Sequence, residues 1–140
     1  KAAQAHDFIM SFPNGYETEL GQGGVNVSGG QKQRLCIARA LLKHPKIMIM
    51  DDSTSAVDTA TDAAIRSGLK KEFGDTTVLI IAQRISSVES ADRIIVMNDG
   101  KIDAVGTHDE LIATNQIYQD VYNSQKKGSD EQETGVSENA

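Results

Sequence analysis

Four short apolar runs recur along the chain, and their patterns predict two kinds of strand. "KIMIM" (46–50) and "TTVLIIA" (76–82) are uniformly apolar, which is typical of strands buried on both faces of a parallel sheet. "RIIVM" (93–97) and "KIDAV" (101–105) flank Asn98-Asp99-Gly100, whose residues tolerate positive φ. The second pair of runs therefore predicts an antiparallel hairpin.

Helical patterns occupy the stretches between these runs. The spacing predicts helices over 2–12, 29–43 and 59–72, and Thr107 with Glu110 forms a capping-box sequence that starts another. The helix over 29–43 carries four apolar residues on one face: Leu35, Ala38, Leu41 and Leu42. Strands that alternate with helices predict an α/β fold, with a partly parallel sheet that has the hairpin at one edge.

Composition narrows the class of protein. The 140 residues carry a net charge of −6, which gives no basic surface for nucleic acid, so we expect no nucleic-acid partner. No apolar run approaches the roughly 20 residues of a membrane-spanning helix, and the first residues lack a signal-peptide pattern. Cys36, the single cysteine, fits a reducing compartment and is expected to be buried on its helix.

A Ser-Gly-Gly sequence stands where the helix over 29–43 begins. Ser28 is a good N-cap residue, and Gly29 and Gly30 allow a ligand to approach bare backbone N–H groups. Such a helix N-terminus suits a phosphate because it has unpaired N–H groups and a partial positive charge. The same three residues would also serve as a plain loop and cap, and the segment alone favours neither interpretation.

Two adjacent carboxylates, Asp51 and Asp52, follow the first apolar strand. Like charges so close repel each other, and neither is favourable beside a core. Either the strand simply emerges into water there, or the pair handles a cation or a phosphorylated ligand.

The segment that contains Ser28, Asp51 and Asp52 carries a longer series of motifs. "VSGGQKQRLCIARALLKHPKIMIMDDSTSAVD" (27–58) resembles the signature motif, signature helix, Walker B strand and D-loop of ABC-transporter ATPases. "GYETELGQGG" (15–24) resembles the X-loop of the exporter branch, and "IIAQRISSVESADRIIVMNDGKIDAVGTHDEL" (80–111) resembles the switch-loop strand and C-terminal hairpin. The resemblance covers roughly residues 2 to 122.

The resemblance implies a fold and a domain organisation. It implies the C-terminal part of a P-loop NTPase (RecA-like) nucleotide-binding domain. Residues 1–44 would belong to the helical subdomain, 45–123 to the ATP-binding core, and 124–140 would form a disordered acidic tail, since the sequence there is polar and without periodicity. The sequence has no G-x-x-x-x-G-K-[ST] loop, so we expect this segment alone to bind ATP weakly or not at all.

Site residues follow from the resemblance position by position. Two such domains enclose two ATP molecules, each held between the Walker loops of one domain and the signature motif of the other. The resemblance implies that Asp51 holds Mg²⁺, usually through water, and that Asp58 lies in the D-loop, which connects the two sites. The residues that would contact the γ-phosphate bound to a partner domain are Ser28, Gly29, Gly30 and Gln31.

Two positions depart from the family pattern. Asp52 stands in place of the catalytic glutamate and is shorter by one C–C bond, about 1.5 Å. Gln83 replaces the switch histidine; it can hydrogen-bond a phosphate but cannot become cationic or relay a proton. Together they predict a site that is impaired for hydrolysis beside a signature motif that is intact.

Three functions fit this pattern. The first is one ATP-binding subunit of a heterodimeric ABC exporter, attached to a transmembrane domain at the cytoplasmic face of the membrane. A DNA-associated ABC ATPase of the chromosome-maintenance kind shares the signature and Walker B motifs, but usually lacks the ending "ADRIIVMNDGKIDAVGTHDEL" (91–111). The third is a non-enzymatic clamp that holds ATP without turnover.

Overall fold

The computed structural model describes residues 1–51 and 53–134, with side chains described up to Lys126. The chain divides into two compact units, Lys1–Ile81 and the part from Ala82 onward. The α-helices are α1 (His6–Met10), α2 (Gly29–Leu41), α3 (Thr59–Glu72), α4 (His108–Thr114) and α5 (Gln116–Thr134). The strands are β1 (Ile47–Asp51), β2 (Thr77–Ile81), β3 (Ile94–Asn98) and β4 (Lys101–Gly106).

The first unit is an α/β arrangement built on one parallel strand pair. β1 and β2 run parallel, in register from Ile47 opposite Thr77 to Asp51 opposite Ile81. One face of β1 packs with α2 and α3 in a core formed by Ala2, Ala3, Ile37, Leu41, Met48, Met50, Val57, Ile65 and Leu69. The predicted α/β class is confirmed, and α3 has the bounds that the sequence predicted.

The expectation that β1 is buried on both faces is wrong for the described residues. Met48 and Met50 are buried, whereas Ile47 and Ile49 are 66% and 63% exposed. The same side of β2 is also exposed to solvent: Leu79, which pairs with Ile49, is 46% exposed. A uniformly apolar run predicts a strand correctly, but alternate side chains point to opposite faces and only one face is covered here.

Helix α2 confirms part of the apolar face that the sequence predicted, because Leu41 is buried and Ala38 packs against the core. Ile37 and Leu41, four residues apart, are buried, whereas Leu42 follows the last helical residue and is 79% exposed. Residues four apart lie on one helical face, so the buried face is centred on this pair. Cys36 is exposed, and the expectation that it is buried is therefore wrong.

The N-terminal segment is shorter as a helix than the sequence predicted. Gln4 has a φ of 54°, which no α-helix contains, and α1 starts only at His6. The residues before α1 are nevertheless packed: Ala2 and Ala3 are buried. Gly68 of α3 permits this, since a Cβ there would lie 2.8 Å from the carbonyl oxygen of Ala2.

The second unit contains the predicted hairpin and the predicted capping box. β3 and β4 pair antiparallel, with an irregularity in register between Val96 and Met97. The turn has positive φ at Asp99 and Gly100. This pair is a two-stranded sheet of its own in the described chain, rather than the edge of a larger sheet. Its core consists of Ile85, Ile94, Val96, Leu111 and Tyr118.

Helix α5 occupies part of the segment for which the sequence predicted a disordered tail. It runs from Gln116 to Thr134, so the part of 124–140 up to Thr134 is helical; residues 135–140 lie outside the described residues. Tyr118 is buried seven residues before Gln125, which places Gln125 on the same helical face. The expected boundary at residue 44 also falls inside the first unit, because α2 and β1 share one core.

Candidate functional site

The N-terminus of α2 is fixed by a reciprocal capping box. The backbone N–H of Gln31 donates to the Oγ of Ser28 at 3.2 Å, and the backbone N–H of Ser28 donates to the Oε1 of Gln31 at 2.9 Å. Both side chains act here only as acceptors, so the Ser28 hydroxyl proton and the Gln31 NH₂ group keep their capacity to donate. The turn is thus held in shape without using its side-chain donors.

Two glycines complete this turn. Within the described ranges, the backbone hydrogen bonds leave the N–H groups of Gly29 and Gly30 without an acceptor. Gly29 is exposed and Gly30 half-buried, and both stand at the positive end of a 13-residue helix. The turn therefore offers a hydroxyl, an amide NH₂ and two backbone N–H groups to an anion.

Asp51 lies at the carboxyl end of β1, opposite the last residue of β2, Ile81. Its carboxylate is exposed, and its carbonyl accepts a hydrogen bond from the Oγ of Ser53 at 3.4 Å. Ligands of α/β proteins bind at the carboxyl ends of parallel strands. Asp52, the expected general base, lies outside the described residues.

The residues present fit a magnesium ion only as a partial ligand set. Over residues 1–51 and 53–134, no three His, Cys, Asp or Glu side chains gather as metal ligands would. Mg²⁺ is commonly bound by one or two carboxylates, with waters and substrate phosphates completing the set. The single exposed carboxylate of Asp51 is compatible with that mode.

Asp58 ends the segment 55–58, which corresponds by resemblance to the D-loop, and it is the N-cap of α3. Its carboxylate accepts hydrogen bonds from the backbone N–H of Thr61 at 2.9 Å and from the Thr61 hydroxyl at 2.7 Å. These bonds, that from the backbone N–H first, lower the pKa of the Asp58 carboxyl because they favour its charged form. In this structure Asp58 therefore anchors the end of the D-loop to α3.

We expect this cap to make stability depend on pH. A lowered folded-state pKa contributes stability above about pH 4, the ordinary pKa of Asp, and this is lost as the pH falls through the lowered value. Asp58→Ala should lower the thermal unfolding midpoint at pH 7, whereas Asp58→Asn, also a good cap, should lower it less. The gap between wild type and Asp58→Asn should close on acidification; a gap that is constant with pH would contradict the role of the charge.

Gln83 lies two residues after β2 and is exposed. Its carbonyl accepts a hydrogen bond from the Nε2 of Gln125 at 2.7 Å, and the Oε1 of Gln125 accepts one from the N–H of Ile85 at 2.9 Å. The backbone on both sides of Arg84 is thus held by one side chain of α5. Sequence reasoning missed Gln125 because it placed this residue in the tail.

Most of the predicted site residues that the structure describes lie in the first unit. The turn at Ser28 and the D-loop belong to the first unit and are in contact, since a Cβ on Gly30 would lie 2.7 Å from the carbonyl oxygen of Ala56. Asp51 belongs to the same unit, and Gln83 belongs to the second.

Comparison with known proteins assigns the family. The family model described as ABC transporter matches residues 1–55. A Bacillus subtilis protein described as a putative multidrug export ATP-binding/permease protein is 47% identical over 125 residues, and ABC transporter B family member 2 of Dictyostelium discoideum is 45% identical over 127. This chain belongs to the ABC transporter family. The fold also matches a solved bacterial Atm1-family ABC exporter with ATP bound, with a TM-score of 0.82, 37% identity and 89% of this chain covered.

The chain corresponds to only part of these ABC transporters. It spans 22% of the Bacillus relative, 9% of the Dictyostelium relative and 22% of the solved exporter chain. Among the helices that the structure describes, none has both the length and the apolar character needed to cross a bilayer. All three proteins are described as transporters or exporters, one of them as putative, which supports the transporter interpretation over a DNA-associated ATPase.

Proposed function

We propose that this chain is the C-terminal part of the ATP-binding domain of an ABC exporter, and that its α2 turn binds the γ-phosphate of an ATP held by a second domain. The observation that carries the proposal is the turn at Ser28–Gln31, where Ser28 and Gly29 are exposed and two backbone N–H groups have no acceptor in the described chain. The named exporters among its relatives, one of them solved with ATP bound, support the ligand.

The hydrogen-bond donors of the turn suit a phosphate of an ATP molecule that is held by a second domain. ATP supplies the phosphoanhydride bond whose hydrolysis would drive transport. The Ser28 hydroxyl and the N–H groups of Gly29 and Gly30 would donate to γ-phosphate oxygens, and the Gln31 NH₂ group would add a fourth donor. Because the capping box already fixes these donors, little reorganisation is needed when the phosphate binds.

The chain's own hydrolytic site is proposed to be impaired. Asp51 would bind Mg²⁺, usually through water, as a single carboxylate ligand. Asp52 would reach its attacking water poorly because its side chain is one bond shorter than that of glutamate, and Gln83 cannot carry the positive charge or the proton that a histidine offers. This asymmetry favours a heterodimer, in which the signature turn of this chain completes a competent site on its partner.

The partners and location follow from the same proposal. The printed name of the Bacillus relative joins an ATP-binding and a permease part, and this chain matches 22% of its length. We therefore propose a second ABC nucleotide-binding domain and a transmembrane domain as partners. The ATP-binding part would lie at the cytoplasmic face of the membrane.

Nucleotide trapping tests this assignment. The full-length protein is purified alone and with the product of the neighbouring transporter gene, and the nucleotide trapped by vanadate after turnover is counted on each subunit. We expect trapping on the partner subunit of the heterodimer and almost none on this subunit, because vanadate traps only a site that hydrolyses. Equal trapping on both subunits, or efficient trapping by this protein alone, would contradict an impaired site.

A further inference from the structure

One side chain of α2 holds two consecutive residues of the D-loop. The Nε2 of Gln33 donates to the Oγ of Ser55 at 3.0 Å, and the Oε1 of Gln33 accepts from the backbone N–H of Ala56 at 3.0 Å. These bonds join residues 22 and 23 positions apart in the sequence. Both ends of the amide are therefore used on the loop between β1 and α3.

The backbone of α2 supports the same loop residue one turn earlier. Gly30 lies three residues before Gln33, on the same side of the helix. A Cβ on Gly30 would stand 2.7 Å from the carbonyl oxygen of Ala56, so the two backbones are in direct contact. Ala56 is thus bonded through its N–H to Gln33 and packed at its carbonyl against Gly30.

The loop carries this attachment onward to α3. Val57 is buried in the core of the first unit, and its N–H donates to the carbonyl of Thr54 at 3.0 Å. The next residue, Asp58, caps α3 through Thr61. The path from the α2 turn to the first turn of α3 is therefore continuous, and the Gln33 side chain links α2 to it at Ser55 and Ala56.

We propose that Gln33 is a positioning residue that makes residues 55–58 move with the signature turn of α2. This inference rests on the proposed function, in which that turn binds the phosphate of a partner's ATP. The amide of Gln33 need not touch the phosphate. It transmits the position of the phosphate-bound turn to the D-loop and to the N-terminus of α3.

Gln33→Met in the full-length protein tests the link, because methionine has a similar length and can make neither hydrogen bond. We expect amide hydrogen exchange in the 55–58 segment of the nucleotide-free protein to rise about tenfold. In the assembled transporter we expect kcat to fall about tenfold while the KM for ATP changes less than about twofold, because the phosphate donors stay in place.

A conservative variant distinguishes positioning from mere packing. In Gln33→Glu one carboxylate oxygen can accept from the Ala56 N–H and the other from the Ser55 hydroxyl proton, so both exchange protection and kcat should recover substantially. Adding Ser55→Ala to Gln33→Met should have no further effect, since its bond partner is already gone. Gln116→Met is the matched control; that side chain is exposed and bonds Asp120 on its own helix.

Two results would overturn the inference. One is exchange in the 55–58 segment that is unchanged in Gln33→Met. The other is faster exchange with an unchanged kcat, which would make the link structural only. Exchange is measured without nucleotide, so a failure of the proposed function, seen as a wild-type assembly that traps no nucleotide, is distinguishable from a failure of the link.

Discussion

The double substitution Asp52→Glu, Gln83→His is expected to raise ATP hydrolysis at this chain's own site by about 10²-fold. The glutamate restores about 1.5 Å of reach toward the attacking water, since the side chain gains one C–C bond. The histidine restores a group that can become cationic beside the phosphate. A general base acts only within hydrogen-bonding distance of the proton that it takes, so a side chain that is about 1.5 Å shorter has a large effect on the rate.

The structure indicates that the Gln83 replacement does not disturb the fold. The Gln83 side chain is exposed, and its backbone carbonyl is held by Gln125, which the substitution leaves unchanged. Each single substitution should raise the rate less than the pair, because both groups act on one water and one phosphate. The measurement is the steady-state ATPase rate of the full-length protein without a partner subunit.

The control applies the same two chemical changes away from the site. Asp109→Glu and Gln116→His alter exposed residues at the starts of α4 and α5 and should leave the rate unchanged. A wild-type homodimer that already hydrolyses ATP rapidly, with no response to Asp52→Glu and Gln83→His, would refute the impaired site.

Turns and helix caps were predictable from the sequence, because each depends on residues only a few positions apart. The turn at Asp99-Gly100 requires residues that tolerate positive φ, and those residues are there. The capping box at Thr107 needs only a hydroxyl and a Glu three residues later, and it forms as expected, as does the N-cap at Ser28. The α/β class followed from strands alternating with helices.

Features that depend on distant partners were not predictable in the same way. The burial of Ile47 depends on what covers its face of β1, which an apolar run does not specify. The bond that Gln33 accepts from Ala56 and the bond that Gln125 accepts from Ile85 join residues 23 and 40 positions apart. No local pattern marks such a glutamine.

Gly30→Ala is expected to reduce ATP hydrolysis at the partner's site by about 10²-fold, because it displaces the signature turn from the D-loop. Its Cβ would lie 2.7 Å from the Ala56 carbonyl oxygen, closer than a methyl carbon can stand to backbone. Relieving that contact means moving either the phosphate-binding turn or residues 55–58. Overpacking of this kind costs about 1–3 kcal/mol, so the unfolding midpoint should fall as well.

Gly29→Ala is the matched comparison, one residue earlier in the same turn. A Cβ at Gly29 would lie 3.6 Å from the Cβ of Ala56, an ordinary contact, and replacing glycine by alanine at a compatible backbone position stabilises by about 0.4–1 kcal/mol. This variant should keep or raise the unfolding midpoint. Any loss of activity should appear in the KM for ATP, because the methyl group is added to a residue whose N–H is one of the proposed phosphate donors.

The pair of variants separates two roles of the signature glycines. If bare backbone matters only for phosphate access, Gly29→Ala and Gly30→Ala should lose activity to a similar degree and keep similar stability. If contact with the D-loop also matters, Gly30→Ala alone should lose both kcat and stability. The 2.7 Å approach to a backbone oxygen favours the second outcome. Moving Ala56 would disturb the nearby cap of α3, and moving the start of α2 would displace the proposed phosphate donors.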